Sequence, residues 1–271
     1  MRNPEVIVSG LTLPEGPRWH QGLLWFSDMH AQCVRAVRAD GTPEVTLEMP
    51  DACSGLGFFS NGDLAVAAMH TRKVLRWSVA EETLREWADL SDLASWHVND
   101  LTVTETDHVF VGNFGDDTAP PTPCHPANLV VIDPDGRASV AAEDMYFANG
   151  IVALPDTLLV AETRSTPPRV TSFRRSGDEL SERRVLVEFD RPDRMPDGMA
   201  FDGEFLWVAS PFSQEILQVT PDGLLDAAHP VDQMPFAVAA NDDTVFVCVS
   251  DDWVPEVCLS SRSGRILAFR K

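Results

Sequence analysis

The chain has 271 residues, of which 44% are hydrophobic, which is enough to bury a substantial core. Its formal net charge is −21, from 42 acidic and 21 basic side chains, and this balance argues against nucleic acid or an anionic membrane as a partner. No apolar run approaches the roughly 20 residues that span a bilayer.

The chain begins "MRNPEVIVSGLTLPEG", in which Pro4 and Glu5 interrupt any apolar signal-peptide core. We therefore expect a soluble, cytoplasmic protein. Within this stretch, "EVIVSGL" has the β-branched alternation of a strand.

A strand pattern then recurs six times along the chain. The six segments begin at Leu24, Leu64, Val109, Leu158, Leu206 and Val245, in steps of 40, 45, 49, 48 and 39 residues. Each segment is followed by a second alternating stretch, and two of those stretches end in Pro-Asp-Gly turns, at Pro134 and Pro221. Short strands that repeat at this spacing are typical of a β-propeller with about four strands per blade.

The pattern predicts an all-β fold, a six-bladed β-propeller of four-stranded antiparallel blades in a single domain over residues 1–271. The last repeat runs out before its fourth strand, and the N-terminal "EVIVSGL" can supply it, which closes the ring and removes a sheet edge. Only "VAEETLREW" suggests a short helical turn. The Pro-rich stretch Gly115–Asn128 is predicted to be a surface loop near a site.

Five cysteines lie along the chain, at Cys33, Cys53, Cys124, Cys248 and Cys258. They are odd in number and no pair has CxxC spacing, so they do not suggest a disulfide framework. We expect reduced and mostly buried thiols.

Another strand begins nine or ten residues before each of the six segments. If these are the innermost strands of the blades, their first residues surround the central axis. The first residues are Glu15, Ser54, Asn99, Asn149, Asp197 and Phe236. Four of them carry the carboxylate or amide oxygens that hard cations such as Ca²⁺ and Mg²⁺ prefer, and none is the Cys or His of a zinc cage.

A single Asn or Asp before a strand is more often a turn residue than a ligand. Asp197 stands in the third Pro-Asp-Gly copy, at Pro196, and is open to both interpretations. Four such residues at equivalent positions of the repeat favour a divalent-metal site.

Five segments together resemble the gluconolactonase, regucalcin (senescence marker protein) and luciferin-regenerating enzyme family. They are "LPEGPRW", "SGLGFFSNGDLAVA", "ND", "NGI" and "PDGMAFDGEFLWVAS", in family order over nearly the full chain. The resemblance implies a six-bladed propeller that holds one divalent cation and hydrolyses lactones. By motif, it implies Glu15, Asn149 and Asp197 as metal ligands and places Asn99 beside metal and substrate.

One position departs from the family pattern. Sugar-lactone hydrolases of this family carry an arginine two residues before the "ND" asparagine, where this chain has His97. His97 can hydrogen-bond a substrate or act as a second base near neutral pH, or it can simply bond a neighbouring backbone group. The change argues against gluconolactone itself as the substrate.

The expected reaction is hydrolysis of a lactone polarised by the cation, which is Ca²⁺ by preference and Zn²⁺, Mg²⁺ or Mn²⁺ as alternatives. Asp197 is predicted to be both ligand and general base, although metal binding weakens a carboxylate as a base. Alternatively, the cation lowers the pKa of a bound water, and Asp197 only orients the hydroxide. Asn99 positions the substrate or a water.

Three further polar residues lie near the ends of the second strands. Asn113 is a candidate substrate contact, whereas Asp28 and Glu162 are expected to be satisfied polar groups of the fold. The apolar neighbours of the six positions favour a hydrophobic ester or lactone if several of them face the substrate. Those neighbours are Trp96, Phe114, Phe147, Met195, Phe212 and Phe236.

Other enzyme classes find no support in the motifs. The chain has no G-x-S-x-G elbow, HExxH, Walker A motif or Rossmann glycine fingerprint. Two alternatives stay open: another reaction on the same site, such as phosphotriester hydrolysis or isomerisation, and a non-catalytic Ca²⁺-binding propeller. The expected partner is a small lactone or ester, and the chain is a monomer or a dimer.

Overall fold

The computed structural model describes residues 4–118, 122 and 124–271. Its strands form six four-stranded antiparallel sheets, so the protein has the fold of a six-bladed β-propeller, as the repeat predicts. The strands of the first half are β1 Glu5–Leu11, β2 Pro14–His20, β3 Leu23–Asp28, β4 Cys33–Val37, β5 Pro43–Glu48, β6 Cys53–Phe58, β7 Leu64–Ala68, β8 Lys73–Ser78, β9 Thr83–Asp89, β10 Val98–Val103, β11 Val109–Asn113 and β12 Ala127–Ile132. The strands of the second half are β13 Ala138–Met145, β14 Ala148–Ala153, β15 Thr157–Glu162, β16 Arg169–Ser176, β17 Glu179–Glu188, β18 Met199–Phe201, β19 Leu206–Ser210, β20 Glu215–Val219, β21 Leu225–Pro230, β22 Met234–Ala240, β23 Thr244–Ser250 and β24 Gly264–Arg270.

Five blades follow chain order, and the sixth takes a strand from the N-terminus. The blades are β2 to β5, β6 to β9, β10 to β13, β14 to β17, β18 to β21, and β22, β23, β24 and β1. β1 pairs antiparallel with β24, with Glu5 opposite Ala268 and Leu11 opposite Gly264. The prediction that "EVIVSGL" completes the last blade is therefore confirmed.

The chain divides into two compact units. One comprises Met1–Cys53 and Asp193–Lys271, and the other comprises Ser54–Pro192. Each unit is built from blades that pack face to face, and a single domain over residues 1–271 stays a prediction.

The core of each unit lies between the faces of neighbouring blades. On β11, Val109 and Val111 pack into the core shared with β7 and β8, whereas Phe110 packs on the other side, against β14 and β15. Since successive side chains of a strand point to opposite faces, both sets are buried. This is why the second strand of each blade is a nearly continuous apolar run.

The other unit is packed in the same way. Phe26 and Phe246 lie in a core that β3 shares with β22 and β23, and Trp19 stacks on Phe246 with ring centroids 5.4 Å apart. Trp207 and Ala209 of β19 pack against the opposite face of β22 and β23.

Two of the Pro-Asp-Gly copies are hairpin turns, as expected. The Gly136 N–H donates to the Asp133 carbonyl at 2.9 Å, and the Gly223 N–H donates to the Thr220 carbonyl at 2.9 Å. Both glycines have φ near +90°, which an L side chain adopts only at a cost.

The expected helical turn in "VAEETLREW" is wrong, because Thr83–Asp89 form the outer strand β9, which pairs with β8. An α-helix is found instead at α1, Pro255–Ser261, which has a proline in its first turn, and a short 3₁₀ helix is found at Met29–Ala31. None of the helices in the described ranges is long and apolar enough to cross a membrane. All five cysteines are buried free thiols, as predicted.

Candidate functional site

The six predicted axial positions lie at the starts of the innermost strands. Four of them are the second residue of their strand, namely Glu15, Ser54, Asn99 and Asn149. Phe236 is the third residue of β22, and Asp197 lies two residues before β18. All six side chains are buried, with exposed fractions of 8% or less.

Irregular pairing marks these strand starts. The register of the inner strand against its neighbour shifts between Glu15 and Arg18 in β2, between Val98 and Leu101 in β10, and between Ala148 and Ile151 in β14. A bulge leaves a residue out of the regular ladder and redirects its side chain. Asn99 and Asn149 lie inside these register shifts, whereas Glu15 is paired with Ser27 at the edge of its shift.

Within the unit Ser54–Pro192, three of the positions are joined by hydrogen bonds. The Ser54 hydroxyl donates to Asn99 Oδ1 at 3.1 Å, and Asn99 Nδ2 donates to Asn149 Oδ1 at 2.6 Å. Three residues that are 45 and 50 positions apart in sequence thus meet in one buried chain. We call Asn99 and Asn149 the amide pair.

A glycine allows the amide pair to form. A Cβ on Gly112 of β11 would lie 2.1 Å from the carbonyl oxygen of Ala148, the residue before Asn149. Only glycine lets β11 approach β14 this closely. Sequence reasoning singled out Asn113 in this segment but passed over Gly112.

In the other unit, Glu15 lies on β2. Its Oε2 accepts the Gly16 N–H at 2.9 Å, and the Ser27 hydroxyl donates to the Glu15 backbone carbonyl at 3.1 Å. These bonds fix both the side chain and the backbone of Glu15. Its carboxylate is therefore held at the start of the strand.

Asp197 belongs to the same unit and is tied into it by backbone bonds. Its N–H donates to Ala209 at 2.9 Å, and the Gly198 N–H donates to the Phe236 carbonyl at 2.8 Å. A Cβ on Gly198 would lie 2.5 Å from the Ala237 Cβ, so this glycine is needed for close packing rather than for a left-handed turn. The third Pro-Asp-Gly copy is thus part of an inner-strand start and not a hairpin turn.

The donor set suits a hard divalent cation. Glu15 and Asp197 of one unit carry carboxylates, and Asn149 of the other unit carries a neutral amide oxygen. Carboxylate and amide oxygens are the ligand types that Ca²⁺ and Mg²⁺ prefer. Among the described residues, no group of three or more His, Cys, Asp or Glu side chains is arranged to hold a metal. The predicted set does not need one, because only two of its members are of those types.

Asn113 is fully buried and its amide is engaged within the fold. Nδ2 donates to the Asn128 carbonyl at 2.7 Å, and Oδ1 accepts the Gly115 N–H at 3.1 Å and the Ser95 hydroxyl at 3.3 Å. The predicted substrate contact of Asn113 stays a prediction, and these bonds give it a supporting position at the loop that follows β11.

Glu162 is a satisfied polar group, as expected, whereas Asp28 is satisfied at one carboxylate oxygen only. Asp28 Oδ1 accepts hydrogen bonds from the Thr12 N–H at 2.8 Å and from the Thr12 hydroxyl. Asp28 Oδ2 lies 3.5 Å from the Arg35 guanidinium. Glu162 accepts hydrogen bonds from Arg169 Nε at 2.9 Å and from the Tyr146 backbone N–H at 3.1 Å. Both oxygens of Glu162 are therefore engaged, and Oδ2 of Asp28 is held by the ion pair with Arg35 alone.

Glu162 also makes stability depend on pH. Burial raises the pKa of Glu162, but hydrogen bonds from Arg169, Thr171 and the Tyr146 backbone outweigh that effect and hold the pKa below its usual range. A carboxyl whose pKa is depressed by folding stabilises the fold above its unfolded pKa, about 4.3, and loses that contribution as the pH falls through the folded value.

We therefore expect Glu162→Gln to lower the free energy of unfolding by about 2 kcal/mol at pH 7, because it removes the buried carboxylate that half-buried Arg169 and the more exposed Arg183 bind. The loss relative to wild type should shrink below about pH 4. Urea unfolding between pH 3 and 7 measures both effects, with Glu179→Gln as the control, since Glu179 is an exposed carboxylate on β17 that lies opposite Ser176. A difference that does not vary with pH contradicts the assignment.

His97 lies in a row of aromatic rings. It stacks on Trp96 with centroids 4.7 Å apart and planes at 22°, and it meets His70 edge-on at 4.6 Å. Phe114 lies 6.3 Å from His97 and 4.2 Å from Phe147. The sequence pointed to His97 and its apolar neighbours, but not to their mutual contacts or to His70.

Arg164 is a second residue that sequence reasoning missed. Its buried guanidinium donates to the Thr118 carbonyl at 2.8 Å and hydroxyl at 2.6 Å, and lies 3.5 Å from Asp116. Hydrogen bonds from Thr118 help to hold the pKa of Asp116 well below its usual range. The predicted loop Gly115–Asn128 is anchored here, although Ala119, Pro120, Pro121 and Pro123 lie outside the described residues.

The positions of His70 and Arg164 in the repeat could have identified both residues. His70 and Arg164 each stand six residues after the first residue of a repeated strand segment, at Leu64 and Leu158. The same offset places them in the loop that follows the second strand of a blade, at the edge where the inner strand begins.

Comparison with known proteins decides the family. The family model described as SMP-30/gluconolactonase/LRE-like region matches residues 13–248, which include Glu15, Asn99, Asn149 and Asp197. The chain belongs to the SMP-30/gluconolactonase/LRE-like family. The resemblance seen in the sequence motifs is confirmed.

Solved structures agree with this family at the level of the fold. Regucalcin of Agrobacterium tumefaciens, a calcium-binding protein, is 17% identical with a TM-score of 0.79 over 98% of this chain and 93% of its own. A gluconolactonase of Xanthomonas campestris is 21% identical, with a TM-score of 0.77 over 98% and 89%. A luciferin-regenerating enzyme is 15% identical, with a TM-score of 0.80 over 98% and 95%. Such low identities show a shared propeller fold and leave the reaction of this SMP-30/gluconolactonase/LRE-like protein to its own residues.

Proposed function

We propose that this protein is a divalent-metal-dependent lactonase, a carboxylic ester hydrolase that opens a lactone ring with water. The observation that carries the proposal is the family match over residues 13–248, which spans every oxygen donor of the candidate set. The burial of those donors at irregular strand starts supports it further.

Glu15, Asn149 and Asp197 are the proposed ligands of one divalent cation. Ca²⁺ is the preferred ion because all three ligand atoms are hard oxygens and because a calcium-binding regucalcin shares the fold. Zn²⁺, Mg²⁺ and Mn²⁺ are the alternatives. When bound, the cation draws electron density from the lactone carbonyl oxygen and stabilises the negative charge that forms there.

Asp197 is the proposed general base. It accepts a proton from a water whose oxygen attacks the carbonyl carbon, and it returns that proton to the ring oxygen as the acyl carbon–oxygen bond breaks. The product is a hydroxy acid. Asn99 is proposed to position the substrate or a water, and its bonds to Asn149 and Ser54 hold its amide in one orientation.

His97 and Asn113 are proposed to contact the substrate. Asn113 lies at the start of the loop that follows β11. His97 stands where sugar-lactone hydrolases of the family carry an arginine, and its surroundings are aromatic. A guanidinium can donate several hydrogen bonds to sugar hydroxyls, whereas one imidazole in an aromatic row cannot. The substrate is therefore a small lactone or ester other than gluconolactone.

The proposed partner is this small molecule alone, in a cytoplasmic protein that acts as a monomer or a dimer. A net charge of −21 disfavours binding to nucleic acid and to anionic membranes.

A hydrolysis screen tests the proposal. Sugar, aliphatic and aryl lactones are offered to protein that has been fully chelated and then supplied with Ca²⁺, Mg²⁺, Mn²⁺ or Zn²⁺. We expect no turnover after chelation and recovery with at least one ion. Lactone hydrolysis that survives full chelation contradicts the metal dependence, and metal binding without turnover of any ester supports the non-catalytic alternative.

A further inference from the structure

Four aromatic side chains form a continuous row in the unit Ser54–Pro192. We call Trp96, His97, Phe114 and Phe147 the aromatic wall. Each ring contacts the next, with centroid distances of 4.7, 6.3 and 4.2 Å along the row. Aromatic pairs at such distances attract one another beyond their buried area, so the row is a cohesive surface.

The aromatic wall is built onto the amide pair. His97 lies two residues before Asn99, and Phe147 lies two residues before Asn149. The amides of these asparagines are joined at 2.6 Å. Two residues along an extended strand span about 7 Å, so a molecule that contacts the amide pair lies near His97 and Phe147.

Backbone hydrogen bonds hold the wall in place. The Phe114 N–H donates to the His97 carbonyl at 3.0 Å, and the Thr163 N–H donates to the Phe147 carbonyl at 3.2 Å. Phe147 has φ of 56°, in the left-handed region that bulky side chains rarely adopt. A fold maintains such a conformation only where its surroundings determine it, and here the conformation places Phe147 on Phe114.

The wall is exposed at one end and buried at the other. Trp96 is 37% exposed, His97 and Phe114 are half-buried, and Phe147 is 8% exposed. The near-parallel stack of Trp96 on His97 gives this surface a flat face. Flat aromatic faces bind planar apolar groups, whereas hydroxyl groups laid against them lose hydrogen bonds to water.

We propose that the aromatic wall is a subsite for an aryl group, so that the preferred substrates are lactones fused to an aromatic ring. This inference rests on the proposed lactonase function and names its substrate class. Trp96 is the specificity-determining residue, since it presents the most exposed ring of the wall.

Dihydrocoumarin and δ-valerolactone test the subsite, because both are six-membered lactones and only the first carries an aryl ring. We expect Trp96→Leu to lower kcat/KM for dihydrocoumarin about five- to tenfold while δ-valerolactone changes less than about twofold. Trp96→Phe should keep dihydrocoumarin within about threefold, because a flat ring remains. Equal losses on both lactones overturn the proposal.

Trp253→Leu is the matched control. Trp253 is 40% exposed, close to Trp96, and it also contacts an aromatic ring, that of Phe212 at 5.3 Å. The control should leave the ratio of the two kcat/KM values unchanged. A similar shift in that ratio shows that loss of any exposed tryptophan has this effect, and overturns the assignment to Trp96.

Equilibrium binding separates this inference from the proposed function. Calorimetric titration of chelated protein with 3-(2-hydroxyphenyl)propionate, the hydroxy acid expected from dihydrocoumarin, needs no turnover. Trp96→Leu should weaken the affinity about five- to tenfold. If no lactone is hydrolysed but this loss is seen, the lactonase proposal fails and the aryl subsite stands; if lactones are hydrolysed and the affinity is unchanged, the subsite is wrong.

Discussion

Asp197→Asn is expected to lower kcat/KM for lactone hydrolysis about a thousandfold or more. General-base catalysis contributes about 10²- to 10⁴-fold, and the amide cannot accept the proton of the attacking water. The substitution also removes one of two carboxylates from the proposed cation site. It changes one atom of a buried side chain, and the backbone there is fixed by the bonds from Asp197 to Ala209 and from Gly198 to Phe236, so the fold should survive.

Steady-state hydrolysis of the best lactone from the screen measures this effect, at saturating cation. Asp222→Asn is a control with the same local sequence, since Pro221-Asp222-Gly223 is an exposed hairpin turn. The control should retain full activity. If Asp197→Asn keeps more than about a tenth of the wild-type kcat/KM, Asp197 is not the base.

Glu15→Gln is expected to weaken binding of the divalent cation about a hundredfold, because it removes a carboxylate from the proposed ligand set. Binding can be followed without any substrate, since a ligand that binds only the folded state stabilises it by RT ln(1 + [L]/Kd). At a Ca²⁺ concentration of about 100 Kd, the wild-type protein should gain about 2.7 kcal/mol and the variant about 0.4 kcal/mol.

Urea unfolding with and without Ca²⁺ measures this difference. Glu44→Gln is the matched control, because Glu44 is an exposed carboxylate on β5, the outer strand of the blade that carries Glu15. The control should gain the full cation stabilisation. An undiminished gain in Glu15→Gln contradicts the proposed ligand, and the absence of a gain in the wild-type protein contradicts the cation site itself.

The sequence predicts the strands of this fold well where both faces are buried. β7, β11 and β19 begin at Leu64, Val109 and Leu206, where the repeat places them. Such strands are continuous apolar runs, which stand out from the turns on either side. The sequence does not distinguish the outer strand β9 from a helix. This strand pairs on one side only, with β8, and its solvent face carries acidic residues that are also common in helices.

The candidate site was predictable as far as it depends on the repeat. Asn99 and Asn149 occupy equivalent strand starts, and the structure joins their amides. His70 and Arg164 share one offset in the repeat, but their partners His97 and Thr118 stand at different places in it, so the repeat does not predict these contacts. The left-handed conformation of Phe147 is imposed by tertiary packing, which local sequence does not encode.

The irregular strand starts also bear on how new activities arise on this scaffold. Asn149 and Phe236 both lie where the ladder shifts register, between Ala148 and Ile151 and between Pro235 and Ala237. An irregular strand start of this kind thus accommodates an amide in one blade and an aromatic ring in another. Because such a residue lies outside the regular ladder, its replacement can alter ligand chemistry without rebuilding the blade.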